Sequence, residues 1–398
     1  MKDKNVVVVG SSHVLFTYSY IKSIQEVYNL TGFIDIGVNL IDKPMQLSEI
    51  PTFDYGIKSK KYQFPIVKRA LKLLNLDRTK FLGQVVSILR KKRRSNKEGL
   101  SEFLIESKPD VIFYLWSTTA DGIKLEIDKN LAGKIMPNQV LVVNTYPVNS
   151  NINWNDFNEN LTKDAEYFKG FDRVFVPSSL MSNYFHNKLN LPVNKIYIQQ
   201  DKLHKSLFLE KSEPILSENE KPPRVIFLGN SNFSLRTIDD VRSILRKIAN
   251  QGVEVYIQDG GDKVECENIK YYTPFTYQEM LAGKLSQYIQ GFDAVLVIYN
   301  NLENLRANIS YPTRFAMATL GIDVPIIIKK GQFKAIDEIY SKTNRLLHYE
   351  SEKELINICK NKSKLSLLRS EIRLKKNSQL DLMTKDEITK MLMCCDVD

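Results

Sequence analysis

Arg224-Val-Ile-Phe-Leu-Gly229, Val253-Glu-Val-Tyr-Ile-Gln258 and Ser310-Tyr-Pro-Thr-Arg-Phe-Ala-Met-Ala-Thr-Leu-Gly-Ile-Asp-Val-Pro-Ile-Ile-Ile328 together decide how this chain folds. The first two are short runs rich in β-branched residues, separated by a basic helical pattern, which is how strands buried on both faces of a parallel sheet read. The third runs from a Pro-x-Arg turn through small residues to Gly321, a helix terminator, and then enters another apolar strand across Pro325. Further strands are expected at Ile269 to Tyr271 and Ala294 to Ile298, with a helix at about Thr276 to Ile289 between them. Alternation of this kind builds a doubly wound α/β unit.

A parallel sheet binds anions where a strand ends and a helix begins, because orphan N–H groups point there. Gly229-Asn-Ser-Asn-Phe-Ser-Leu-Arg236 is such a junction. Gly229 permits a sharp turn, Asn230 and Ser231 offer hydrogen bonds, and the Arg236 guanidinium matches a diphosphate. Surface connections use the same residues, so the order of the whole half carries more weight than this loop.

The first half repeats the alternation. Strands are expected at Val6 to Gly10, Phe33 to Gly37, Val111 to Trp116, Val140 to Thr145, Arg173 to Pro177 and Lys195 to Ile198. Ser178 is placed to cap a helix whose apolar stripe is Met181, Tyr184, Phe185 and Leu189. At 398 residues the chain exceeds one ordinary core. It divides into a domain over 1–200, a charged Pro-rich linker over 201–223, a second domain over 224–360, and a helical segment over 361–398.

That order resembles the GT-B glycosyltransferases, in particular the group-1-like enzymes that use nucleotide sugars, with Pro312, Arg314, Gly321 and Pro325 in the positions that carry the likeness. The resemblance implies a GT-B fold, two Rossmann-like doubly wound domains facing across a cleft. It also implies a nucleotide diphosphate sugar as donor substrate, no cofactor and no bound metal, and a C-terminal helical segment, here after Asn377, that crosses back to the first domain. Arg236 and Arg314 would then meet the diphosphate, with Lys284 a weaker third, Thr313 would donate a hydroxyl, and Tyr272 and Thr273 would lie where the base binds. The alternative for Tyr272 is core packing. Retaining members place a Glu just before the small-residue helix to hold the ribose, whereas Phe315-Ala-Met317 stands here and no acid occurs from Arg306 to Ile322.

On the acceptor side, Gly10-Ser-Ser-His13 follows the first strand but lacks the further glycines of a dinucleotide fingerprint, which argues against a nicotinamide enzyme. His13 is a candidate to orient a hydroxyl or act as base; the alternative is a histidine beside a capping serine. Loops at Ser117 to Gly122, Asn144-Thr-Tyr-Pro147 and Asn151 to Asp156 should reach the same crevice, where Asp121 and Asp156 are further candidates for a carboxylate base.

Charge is concentrated. Residues 58 to 97 hold fourteen Lys or Arg against Asp77, more than the net +10 of the whole chain. Val67, Ala70, Leu71 and Leu74 fall at helical spacing, as do Val85 and Leu89 with Phe81 or Leu82, which predicts two amphipathic helices. Three readings stay open: a core face with solvated charges, docking on an anionic membrane, and nucleic-acid binding through Arg90-Lys-Lys-Arg-Arg94. The membrane is preferred, because a lipid-linked glycan acceptor must be reached without a spanning helix, and no nucleic-acid module accompanies the basic run. No apolar run approaches the ~18 residues of a spanning helix. A cytoplasmic, peripherally membrane-associated enzyme is expected, with a scaffold subunit of the same fold as the other reading. Cys266, Cys359, Cys394 and Cys395 show no metal spacing.

Overall fold

The computed structural model describes residues 4–12, 14–37, 49–55, 97–115, 120–147, 154–208, 221–231, 240–299, 305–374 and 381–393, of which 120–121, 154–160, 230 and 393 are described as backbone only. The basic stretch lies outside them except for Lys97.

Among the described residues seven strands make the first sheet, all paired in parallel in the order β3-β2-β1-β4-β5-β6-β7. They are β1 (Asn5–Gly10), β2 (Asn29–Asp35), β3 (Thr52–Asp54), β4 (Val111–Leu115), β5 (Asn138–Val142), β6 (Arg173–Val176) and β7 (Ile196–Ile198). β1 shows why the run Val6 to Val9 is uniformly apolar. Val7 and Val9 face one core layer while Val6 and Val8 face another, so neither side of the strand meets water. The layers are completed by α1 (Leu15–Val27), α2 (Leu100–Ser107), α3 (Ala120–Leu131), α4 (Trp154–Lys169) and α5 (Ser179–Leu189). Ser178 caps α5 by accepting from the Met181 N–H, and Met181, Phe185 and Leu189 form its buried stripe.

The second sheet is also wholly parallel, in the order β10-β9-β8-β11-β12-β13. Its strands are β8 (Arg224–Asn230), β9 (Glu254–Gln258), β10 (Ile269–Tyr272), β11 (Ala294–Leu296), β12 (Ile326–Lys329) and β13 (Leu346–Tyr349). Around them lie α6 (Arg242–Ala249), α7 (Tyr277–Leu281), α8 (Lys284–Gln290), α9 (Leu305–Ile309), α10 (Thr313–Ala318), α11 (Lys334–Tyr340), α12 (Glu352–Lys360) and α13 (Lys362–Leu374). Again β8 divides its side chains, Val225 and Phe227 to one layer and Ile226 and Leu228 to the other.

Each sheet reverses winding direction once, between β1 and β4 in the first and between β8 and β11 in the second. Such switch points open crevices at the carboxyl ends of strands. The two domains are fastened beside them: the Tyr311 N–H donates to the Asn144 carbonyl (2.8 Å), the Tyr146 N–H to Ser310 Oγ (3.0 Å), and Ser178 Oγ to the Ile309 carbonyl (3.0 Å).

A second fastening comes from the C-terminal segment. Leu203 and Leu382 form a parallel bridge, and α14 (Lys385–Met393) buries Ile388, Met391 and Leu392 against α1 and the β1 layer of the first domain. At the other end of that segment, Asp381 pairs with the fully buried Arg345 of the second domain and accepts from the Tyr340 hydroxyl.

Candidate functional site

Between the sheets lies a cavity of about 360 Å³ whose walls come from both domains. The first domain contributes Ser11 after β1, Leu115 at the end of β4, Asn144 after β5, and Tyr20 and its neighbours on α1. The second contributes Gln258 and Tyr272 at the ends of β9 and β10, Phe275, Tyr277, Met280 and Leu285 around α7 and α8, and Thr313 and Met317 on α10. The position follows from topology, since the ends of β1 and β4 are the two sides of the first switch point. The loop after β1 is pinned by buried Asp35, whose Oδ1 accepts from the N–H groups of Ser12 (3.1 Å) and Gly37 (2.8 Å).

One acid lines this cavity among the described residues. Asp201 is 2% exposed, its Oδ1 accepts from the Tyr20 hydroxyl at 2.6 Å, and the Asn144 side chain also donates to it. Burial pushes its carboxyl up from 3.8 to about 6, against the pull of those two hydrogen bonds. This residue falls in what the sequence reads as linker, and composition gave no signal for it. Its position directly past the end of β7 was the available clue.

Arg314 sits at the second switch point. Its guanidinium lies over the rings of Tyr299 (4.4 Å) and Phe227 (4.9 Å), and Nη1 donates to the Ile298 carbonyl at 3.2 Å. Gly229 makes room for it, since a Cβ there would lie 2.9 Å from Arg314 Nη2 and closer still to the Phe227 ring. Pro312 is the N-cap of α10. That helix has only six residues, so its dipole is small.

The other expected site residues divide. Tyr272 lines the cavity within a ring cluster with Phe275 and Tyr288, and Thr313 is an exposed lining residue. Thr273 is exposed and outside the lining, and Lys284 is exposed and paired with Glu279 at 3.3 Å. Ser231, expected to face a phosphate, is fully buried; its Oγ accepts from the Gly260 N–H at 2.7 Å and its N–H donates to Gln258, so it fastens the loop after β9. Asn230 ends β8 opposite Gln258. Asp121 and Asp156 lie in α3 and α4 with side chains outside the described set, and His13 and Arg236 lie outside the described residues. No group of three or more His, Cys, Asp or Glu among the described residues is placed to hold a metal ion, and no described helix is long and apolar enough to cross a membrane.

Solved structures share this architecture over nearly the whole chain. Sucrose-phosphate synthase from Thermosynechococcus elongatus superposes with a TM-score of 0.65 at 9% identity, covering 98% of each chain. HepE from Anabaena, in complex with UDP and glucose, gives 0.63 at 12% identity over 98% of this chain and 99% of that one. A glycosyltransferase from Rickettsia africae gives 0.57 at 10% identity over 99% and 98%. The fold is GT-B. No protein-family model matches the sequence, and no curated protein matches it. At these identities the likeness lies in the two-sheet GT-B architecture, and the chemistry must be argued from this chain's own residues.

Proposed function

We propose that this chain transfers a glycosyl group from a nucleotide diphosphate sugar to a hydroxyl of a glycan or lipid-linked glycan held in the interdomain cleft. The observation that carries the reading is one cavity walled by the strand ends of both GT-B domains, with a buried carboxylate on one wall; Arg314 stands outside that lining, next in the chain to the lining residue Thr313. The donor's diphosphate would meet Arg314, whose guanidinium is already oriented by two rings and a carbonyl, so little side-chain entropy is lost on binding. As the acceptor oxygen attacks the anomeric carbon, the bond to phosphate breaks and the nucleoside diphosphate leaves with the electron pair. A fixed cation is worth most against charge that develops at that moment. In this reading cationic side chains do that work and no resident cofactor is required. HepE, one of the structural neighbours, has been solved with UDP-glucose, which supports a donor of this class.

The basic stretch from Lys58 to Lys97 would hold the enzyme at an anionic cytoplasmic membrane surface, at roughly 1 kcal/mol per basic residue near the surface. A second reading, a sugar- or nucleotide-binding subunit without catalysis, is favoured by one observation: apolar Met317 lines the cavity in a stretch that has no acid from Arg306 to Ile322.

Incubation with a panel of uridine, guanosine, adenosine and thymidine diphosphate sugars tests both. A donor that raises the melting temperature and is consumed with release of nucleoside diphosphate supports transfer. A donor that binds and is never consumed supports the subunit. Binding of none overturns both.

A further inference from the structure

We propose that Asp201 is the base that takes the proton from the acceptor hydroxyl, an inference that rests on the transfer reaction proposed above. It stands on placement. Asp201 is the one acid among the described residues lining the cleft, it is almost fully removed from solvent, and it shares the cavity with Thr313 and Met317 of the facing domain. A carboxylate offers about four acceptor positions. Two neutral donors, Tyr20 and Asn144, engage it, and no cation pairs with it among the described residues. The adjacent Lys202 is engaged elsewhere, with Glu387 at 2.6 Å. A carboxylate serving only to anchor a loop would gain from a cation; this one lines the cavity with none beside it among the described residues.

In the step itself, the acceptor oxygen bonds to the anomeric carbon as the bond from that carbon to the leaving phosphate oxygen breaks. The electron pair departs with the diphosphate and the hydroxyl proton passes to Asp201, from which it returns to solvent after product release. A single displacement inverts the anomeric configuration. The carboxyl, held at about 6 by burial, is mostly ionised at pH 7 and still basic enough to accept a proton. The groups around it are Tyr20 on α1, Asn144 after β5, and, acting on Tyr20, Glu387 on α14; the neighbouring Gln200 is turned to the hydroxyls of Tyr311 and Tyr340.

The experiment uses the full chain and a nucleotide sugar that the wild type consumes. Asp201→Asn should bind that donor within about twofold of wild type while transfer falls by about 100-fold or more, and the wild-type product should carry the anomeric configuration opposite to the donor's. Tyr20→Phe removes a hydrogen bond to the ionised form, so the acid limb of kcat/KM should move to higher pH. That variant decides the matter if Asp201→Asn fails to fold. Undiminished transfer by Asp201→Asn, an unmoved acid limb in Tyr20→Phe, or a product of retained configuration overturns the base while leaving the transfer reading standing. A wild type that consumes no nucleotide sugar overturns the transfer reading first, and the base with it.

Discussion

Replacing Asp381 by Ala should destabilise the chain far more than a typical substitution, because of what it leaves behind. Arg345 is 1% exposed, and its guanidinium donates to the carbonyls of Thr319 (2.7 Å) and Gly321 (2.8 Å) and to Asp381, while Nε has no partner among the described residues. Burial pushes the Asp381 carboxyl up, and Arg345 and the Tyr340 hydroxyl oppose that shift. Removing the carboxylate leaves a buried guanidinium without its counter-ion and takes one acceptor from the buried Tyr340 hydroxyl, which keeps Tyr311 and Gln200. Breaking one partner of such a pair costs about 3–5 kcal/mol, which for a domain of this size lowers the melting temperature by about 6–20 °C. The same pair contributes little net stability, since desolvation offsets most of its attraction. The triple variant Tyr340→Phe, Arg345→Met, Asp381→Leu should therefore recover at least half of the loss. Scanning calorimetry of the two variants against wild type reads both values. A drop below about 2 °C for Asp381→Ala would show that the C-terminal segment does not fasten the second domain through this pair, and a triple variant no better than the single would show that the pair itself is strongly stabilising.

Three further outcomes follow from the structure. Gly229→Ala places a methyl against the Phe227 ring and 2.9 Å from Arg314 Nη2, so denaturant titration should show a loss of about 1–3 kcal/mol, and nucleotide affinity should fall with the displaced arginine; unchanged stability would mean the ring and arginine are not packed there. Asp201 is raised from 3.8 to about 6 in the folded chain, so the stability it contributes is fully present below 3.8 and lost as pH rises through 6; between pH 4 and pH 7 the wild type should lose about 2 kcal/mol relative to Asp201→Asn, read by denaturation at each pH. Replacing Arg90, Lys91, Lys92, Arg93 and Arg94 by Ser should abolish salt-sensitive sedimentation with phosphatidylglycerol vesicles; equal binding of wild type to neutral vesicles, or nucleic-acid binding lost in that variant, would contradict membrane docking.

Strands buried on both faces were legible because their burial needs a continuous apolar run, as in Val6 to Val9 and Val225 to Leu228. The edges were not. Thr52–Asp54 is three residues with no fully buried side chain, and Leu346–Tyr349 is buried only at Tyr349, so neither carries the apolar run of a central strand. Of the candidate residues, Tyr272 and Thr313 line the cavity because strand ends and the turn before α10 are local features, while Arg314 lies outside its lining. Asp201 was not legible, since its place in the cavity arises from burial against Tyr20, 181 residues away in the chain. Ser231 misled for a related reason: a small polar residue past a strand looks the same whether its hydroxyl faces a ligand or, as here, Gly260.

The most direct test of the central claim is a crystal structure of the chain with the nucleotide sugar it binds. The diphosphate should lie within hydrogen-bond reach of Arg314, the base beside Tyr272, and the anomeric carbon in the cavity facing Asp201. A nucleotide bound outside the cleft, or phosphates that Arg314 does not touch, would contradict that claim.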